Sequence, residues 1–258
     1  MNKQKIVASI EARMTSSRLP GKVLMEAHKN ISMLEFMLNR VKKSKLIDDI
    51  IVATTVNKDD DDIVNLCNKL NINVFRGSEP DVLLRVLEAH KSLNSDVIVE
   101  LTGDCPLIDP LLIDKVISVF LNSNYDYVSN SHVRSYPDGF DVQVFSLELL
   151  DKISNLTNDK YDRENVTPYI YKSDHYSTFA VIADKNEFWP DLRVTLDDKG
   201  DYLLIKNIID YFSSNKNNDF SVNDVINYIK DNKELLNLNK NARVSVARFQ
   251  KIAKTYNE

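Results

Sequence analysis

"KIVASIEARMTSSRLPGKVL", residues 5–24, joins a short run rich in Ile and Val to a polar loop that carries Arg13, Arg18 and Lys22. A run of that length and composition predicts a strand, and the loop with Gly21 predicts a turn directly behind it. Three cations concentrated there, in a chain of formal net charge −5, mark a place where negative charge is held. Where such strands align in parallel, ligands bind outside their carboxyl ends.

Outward from that stretch the pattern repeats. "DIIVATT" (49–55), "INVF" (72–75), "DVIVEL" (96–101) and "YDYVSN" (125–130) also have strand length and composition. Between them, residues 33–45, 59–70, 80–92 and 110–122 space their apolar positions as amphipathic helices do, with acidic residues or Pro near their starts. Alternation of this kind predicts an α/β fold: a mostly parallel, Rossmann-like sheet flanked by helices. After about residue 130, "DGFDVQVFS" (138–146) and "HYSTFAVIA" (175–183) alternate like antiparallel strands, predicting a small antiparallel extension over about 131–185. Residues 198–212 and 221–232 return to helical spacing. The stretch 213–258 contains no Gly or Pro and is expected to be a helical C-terminal extension to a main domain of residues 1–212.

Composition narrows the function. With 258 residues, 43% hydrophobic and 28% charged, the chain can bury a large core, which excludes a disordered protein. Its acidic balance argues against a nucleic-acid-binding protein, which needs many phosphate contacts. No apolar stretch is long enough to span a bilayer, and none of signal-peptide length precedes Lys3 and Lys5. Cys67 and Cys105 are the only cysteines, so a reducing, cytoplasmic setting is expected. The four histidines are scattered, which rules against zinc. Cys105 has no histidine motif beside it and is expected to be a small buried hydrophobe rather than a nucleophile.

The five glycines, Gly21, Gly77, Gly103, Gly139 and Gly200, all fall at expected strand ends or loops. Gly21, Gly77 and Gly103 therefore bring three loops to one crevice. The first loop is neither a phosphate-binding GxxxxGK[ST] loop nor a GxGxxG turn, yet its Arg, Lys, Thr and Ser side chains supply charge-assisted donors for several phosphates. Asp104 in "LTGDCP" and Asp197 in "RVTLDD" each follow a strand. Two carboxylates with a triphosphate are a donor set for Mg²⁺. Asp109, before Pro110, is expected to be a helix cap.

Together "ASIEARMTSSRLPGKVL", "DDIIVATTVNKDDD", "VFRGSEPDVLLR", "LTGDCPLIDP", "YPDGFDVQVFS", "DRENVTPYI" and "RVTLDDKGDYLLI" resemble the successive motifs of spore-coat polysaccharide biosynthesis protein F-type cytidylyltransferases. These are relatives of the enzymes that make CMP-Kdo and CMP-sialic acid. The resemblance runs in order from about residue 5 to 206. It implies a nucleotidyltransferase sheet of the glycosyltransferase-A type, a CTP substrate, Mg²⁺, transfer of CMP to an acidic sugar or related polyol phosphate for surface glycan synthesis, and a homodimer. By the same resemblance, Ala12, Arg13, Ser17, Arg18 and Lys22 hold the triphosphate. Arg76, Gly77, Ser78 and Asp81 lie on the nucleotide and sugar side, and Thr102 and Gly103 lie near the base. Asp104 and Asp197 take the metal, and Arg85, Asp138, Gly139, Phe140, Asp141 and Arg163 face the acceptor. Two departures stand out: Thr102 replaces a glutamine of the CMP-Kdo relatives, and "HKNISML" replaces their Gly-Lys-Pro-Met.

A glycosyltransferase that consumes a nucleotide sugar could share the fold and one metal aspartate. It would carry an Asp-x-Asp at the third loop, where this chain has "DCP", and would not need the three-cation first loop. A catalytically dead binding protein would not be expected to keep Asp104, Asp197 and all three cations.

Overall fold

The computed structural model describes residues 3–216, 218–241 and 251–253. The expected apolar runs form β1 (Ile6–Glu11), then, after a hairpin of β2 (Glu26–His28) and β3 (Ile31–Ser32) and helix α1 (Met33–Val41), β4 (Asp49–Thr55). The hairpin's turn residues, Lys29 and Asn30, both have positive φ. That is the two-residue turn whose twist matches its strands, and it occupies the "HKNISML" departure. Next come α2 (Asp61–Lys69), β5 (Asn73–Gly77), α3 (Val82–Ser92), β6 (Val97–Thr102) and α4 (Pro110–Leu121). Side-chain caps start three of these helices: Ser32, Asp81 and Asp109 accept from Glu35 N (3.2 Å), Leu84 N (2.9 Å) and Leu111 N (2.8 Å).

The second half holds β7 (Tyr127–Ser129), β8 (Val133–Arg134), β9 (Gln143–Ser146), α5 (Leu147–Ser154), α6 (Lys160–Asn165), α7 (Pro168–Tyr171), β10 (Thr178–Ala180), α8 (Lys199–Asn215), α9 (Val222–Asp231) and β11 (Lys251–Ile252). Seven strands make one sheet in the order β10-β7-β9-β6-β1-β4-β5. Strands β5, β4, β1 and β6 run parallel, and β9 lies antiparallel to both β6 and β7.

Three sequence expectations change. "HYSTFAVIA" does not add an antiparallel strand: only Thr178–Ala180 pairs, and it runs parallel to β7. Gly200 lies not in a loop but in the first turn of α8, whose Asp198 and Asp201 form a reciprocal capping box. The extension is helical through α9 but also contributes β11, which pairs with β8. Residues 242–250 and 254–258, also expected to be helical, lie outside the described residues.

Central strands are buried on both faces, as parallel sheets require. Ile6, Ala8 and Ile10 of β1 face one core with α1, α4, α8 and α9. Ile98, Tyr127 and Phe145 face another with α3, α5 and α7. Residues on either side of position 212 share the first core, where Phe212 stacks on Phe220 at 4.4 Å between centroids. Arg40, buried on α1, fastens this region: it donates to the carbonyls of Ile108 (2.7 Å), Asn218 (3.1 Å) and Phe220 (2.8 Å) and lies over the Phe220 ring.

Candidate active site

Gly21, at φ 72°, closes the first loop by donating to Met14 O at 2.8 Å, a backbone shape that favours glycine. This turn sends Lys22 inward, with only 11% of its side chain exposed. At Gly103 the constraint is space: a Cβ would come 2.6 Å from Glu11 O, to which Gly103 N donates at 2.9 Å. That contact seats the third loop on the first. The segment before α8 then runs alongside both, with Leu196 N donating to Asp104 O (2.8 Å) and Val194 N to Asp138 O (2.7 Å).

These backbone contacts bring Asp104 and Asp197 to one point. Lys22 Nζ lies 3.2 Å from Asp104 Oδ2 and 2.9 Å from Asp197 Oδ1, and donates to Leu196 O at 2.6 Å. Arg18 reaches Asp197 Oδ2 at 2.8 Å. Burial works against charge on Asp197, but Lys22, Arg193 and Arg18 outweigh it and hold the carboxyl well below the usual range. Burial likewise lowers Lys22, and the two aspartates more than reverse it.

The cluster continues as a chain of alternating charge. Asp197 binds Arg193 (2.5 Å), Arg193 binds Asp138 (3.1 Å), Asp138 binds Arg134 (3.4 Å), and Arg134 binds Asp141 (2.8 Å). Arg193 also meets Asp201 at 3.2 Å. Burial opposes the charge on both arginines, and their carboxylate partners raise them above the ordinary value.

All of this borders one open cavity of about 470 Å³ at the carboxyl ends of the parallel strands. Of the residues expected from sequence, Ala12, Arg13, Ser17, Arg18, Lys22, Arg85, Thr102, Gly103, Asp104, Asp138, Asp141 and Asp197 line it. The others point elsewhere. Arg76 turns back to Asp61 (2.6 Å) and the carbonyls of Thr55 and Asn57. Gly77 packs on Arg85 and Phe75, and Ser78 accepts from Asp81 N at 3.1 Å. Asp81 caps α3 and pairs with Arg163, which also donates to Ser154 O. Gly139 lies against Val194, and Phe140 is fully buried.

Sequence reasoning missed Glu11, Glu100 and Arg134, which line the cavity, and Arg193, which pairs with its Asp138 and Asp197. Arg134 has no local signal. Arg193 sits in the quoted "RVTLDD", read there only for its aspartate. Glu11 and Glu100 carried a signal: each is acidic at or near the carboxyl end of an apolar strand. Cys105 is buried, and burial followed by the charges of Asp104 and Asp141 pushes its thiol well above the ordinary range, so it is no thiolate nucleophile. Among the described residues, no group of three or more His, Cys, Asp or Glu side chains is placed to hold a metal.

Known proteins agree with this geometry. The cytidylyltransferase family model matches residues 7–188. Spore coat polysaccharide biosynthesis protein SpsF of Bacillus subtilis is 33% identical over 234 residues, covering 88% of this chain and 95% of that protein. The 3-deoxy-manno-octulosonate cytidylyltransferase of Geobacter metallireducens is 28% identical over 206 residues, covering 69% of this chain and 79% of its own. The solved structure of a cytidylyltransferase from Leptospira borgpetersenii superposes with a TM-score of 0.84 at 36% identity, covering 90% of this chain and 97% of that one. The chain belongs to the cytidylyltransferase family and is a CTP-dependent nucleotidyltransferase.

Proposed function

We propose that the protein transfers CMP from CTP to an acidic sugar or related phosphorylated polyol, with release of pyrophosphate, for synthesis of a surface glycan. The observation that carries this reading is the convergence of Lys22 and Arg18 on Asp197, and of Lys22 on Asp104, at the mouth of the parallel sheet. Arg13, Ser17 and Arg18 supply donors to the triphosphate, and Lys22 is the buried cation beside the reacting phosphate. An acceptor oxygen forms a bond to the α-phosphorus as the bond to the bridging oxygen of pyrophosphate breaks. The chain's cations neutralise the charge that develops.

Asp104 and Asp197 fit Mg²⁺: both are hard oxygen donors that converge on Lys22, with Arg18 and Arg193 also on Asp197. Asp104 and Asp197 would hold the ion, which would stabilise negative charge on the phosphates. Arg134, Asp138 and Asp141 border the acceptor side, and Arg193 holds Asp138 and Asp197 in fixed relation.

The catalytic unit in this reading is residues 1–212, with α9 docked on it. Two free, buried cysteines suit a cytoplasmic setting. Among the described residues no helix is long and apolar enough to cross a membrane. A homodimer surface is sought at edge strand β10, where the part-exposed rings of Phe179 and Tyr125 meet at 5.1 Å, tilted by 39°. A pyrophosphate-release assay with CTP, Mg²⁺ and a panel of ulosonic and nonulosonic acids tests the reaction. Turnover that needs both CTP and one such acid supports it, and no release with any acid contradicts the acceptor class.

A further inference from the structure

The cavity has a second cluster that phosphate binding does not use. Glu11 on β1, Glu100 on β6 and Gln143 on β9 occupy one face of three adjacent strands, with Ser9 opposite Glu100, Glu11 opposite Thr102, and Glu100 opposite Gln143. Gln143 is held in one orientation: its Oε1 accepts from Tyr127 Oη and Thr167 Oγ1, each at 2.6 Å. Its Nε2 therefore donates to Glu100 Oε2.

Glu11 lies against Glu100, and the carboxyl oxygens of Glu11 are withdrawn from water. Two carboxylates so placed do not both ionise. Burial, then Glu100, pushes Glu11 well above the usual range, while burial puts Glu100 at about 7. Because Gln143 Nε2 already donates to Glu100 and favours its ionised form, the shared proton sits on Glu11 and donates to Glu100. Arg85, Asp104 and Asp141 are the other charges acting on the pair, and Arg85 favours the ionised form of Glu11.

With that proton committed, the second oxygen of Glu11 is an acceptor only; the protein hydroxyl beside it is that of Ser9, and neither atom has a partner at bonding geometry. Arg85, beside it on α3, spends Nη1 on Ser78 O and Glu79 O, but its buried Nε has no acceptor. Buried polar atoms of this kind are normally paired. Here an unpaired acceptor and an unpaired donor belong to residues lining the same cavity, near Ala12, Val82 and Thr102. Glu11 is two residues before Arg13, so a nucleotide with its phosphates on the cation loop carries its base toward this end.

We propose that Glu11, its proton pinned by Glu100 and Gln143, selects cytosine: its free oxygen accepts from the exocyclic amino group and faces the carbonyl of uracil lone pair to lone pair. Arg85 supplies a donor for the ring carbonyl that both bases share. This rests on the CTP reading above, and it accounts for base selection in a chain with Thr102 in place of a glutamine.

The test is calorimetric binding of CTP and UTP with Mg²⁺ to the full chain and to Glu11→Met and Glu11→Gln. The wild type is expected to prefer CTP by about 10- to 100-fold, since a buried polar group left unpaired discriminates strongly. In Glu11→Met the preference falls to about threefold or less, with UTP affinity held. Glu11→Gln keeps the preference, because its amide donates to Glu100 in place of the proton and its carbonyl remains the free acceptor. An unchanged preference in Glu11→Met, a lost preference in Glu11→Gln, or equal binding of CTP and UTP by the wild type overturns the inference. Absence of any triphosphate binding by the wild type overturns the CTP reading beneath it.

Discussion

Lys22 Nζ sits 2.9 Å from Asp197 Oδ1, an ion pair between residues 175 positions apart in the chain. The same nitrogen meets Asp104, so before nucleotide arrives a lysine neutralises the two carboxylates that suit a metal. On the proposed function, ligand binding at this site is an exchange in which phosphates draw Lys22 and Arg18 away and leave the aspartates free for a dication.

That exchange sets an expectation for Lys22→Ala. Mg²⁺ alone, without nucleotide, is expected to raise the melting temperature of the variant more than that of the wild type. CTP affinity falls by about tenfold or more, as one charge-assisted contact to phosphate is lost. Thermal-shift titrations of both proteins check this, and equal Mg²⁺ shifts would show that Lys22 does not compete with the ion.

Asp104→Asn keeps the backbone contacts that seat the third loop, since these use Asp104 O rather than its carboxylate. The fold is expected to survive and kcat to drop by several orders of magnitude, about 10³-fold or more, as metal-assisted charge stabilisation is removed. Steady-state pyrophosphate release alongside circular dichroism checks both halves, and wild-type turnover would remove Asp104 from the metal site.

Arg193→Met tests the charge chain. Its guanidinium is buried among Asp138, Asp197 and Asp201; Asp138 and Asp197 keep Arg134 and Lys22, but removal of Arg193 takes the ion-pair partner from the fully buried Asp201. A loss of about 3–5 kcal/mol is expected in urea unfolding at neutral pH. A loss under about 1 kcal/mol would place these carboxylates in effective contact with water.

Acid stability follows from two buried histidines. Burial puts His90 at about 3, and burial with the nearby Lys251 puts His132 at about 4. Both stay neutral in the fold but take up protons when unfolded, below about pH 6.5. The unfolded chain then binds more protons, so stability is full above that pH and declines as pH falls toward the folded values. Each group contributes about 1.4 kcal/mol per pH unit in that window. Glu11 and Glu100, raised by burial, act with the opposite sign over the same range, so the histidine share is read as a difference: between pH 7.5 and 5 the unfolding free energy of His90→Leu should fall less steeply with acid than that of the wild type, by one group's share.

Much of the fold could be read from residue patterns because β1, β4 and β6 are long, apolar on both faces and separated by well-capped helices. β10 could not: only three of its residues pair, so the alternation of "HYSTFAVIA" says little about direction. The first loop announced itself through Gly21 and its cations, and the third through Gly103 and Asp104, each beside a strand end. Arg134 and Arg193 did not, because their roles come from contacts between segments joined only by the tertiary fold. Glu11 and Glu100 fall in the same class: facing is visible in strand periodicity, but that β1 lies beside β6 follows from sheet order.

The central claim is that the cation loop holds the triphosphate of CTP. The most direct measurement is thermal-shift or calorimetric binding of CTP, UTP, ATP, GTP and dTTP, each with and without Mg²⁺. The account expects selective stabilisation by CTP with Mg²⁺. Stabilisation by a nucleotide diphosphate sugar, with none by any triphosphate, would contradict it and make the protein a glycosyltransferase.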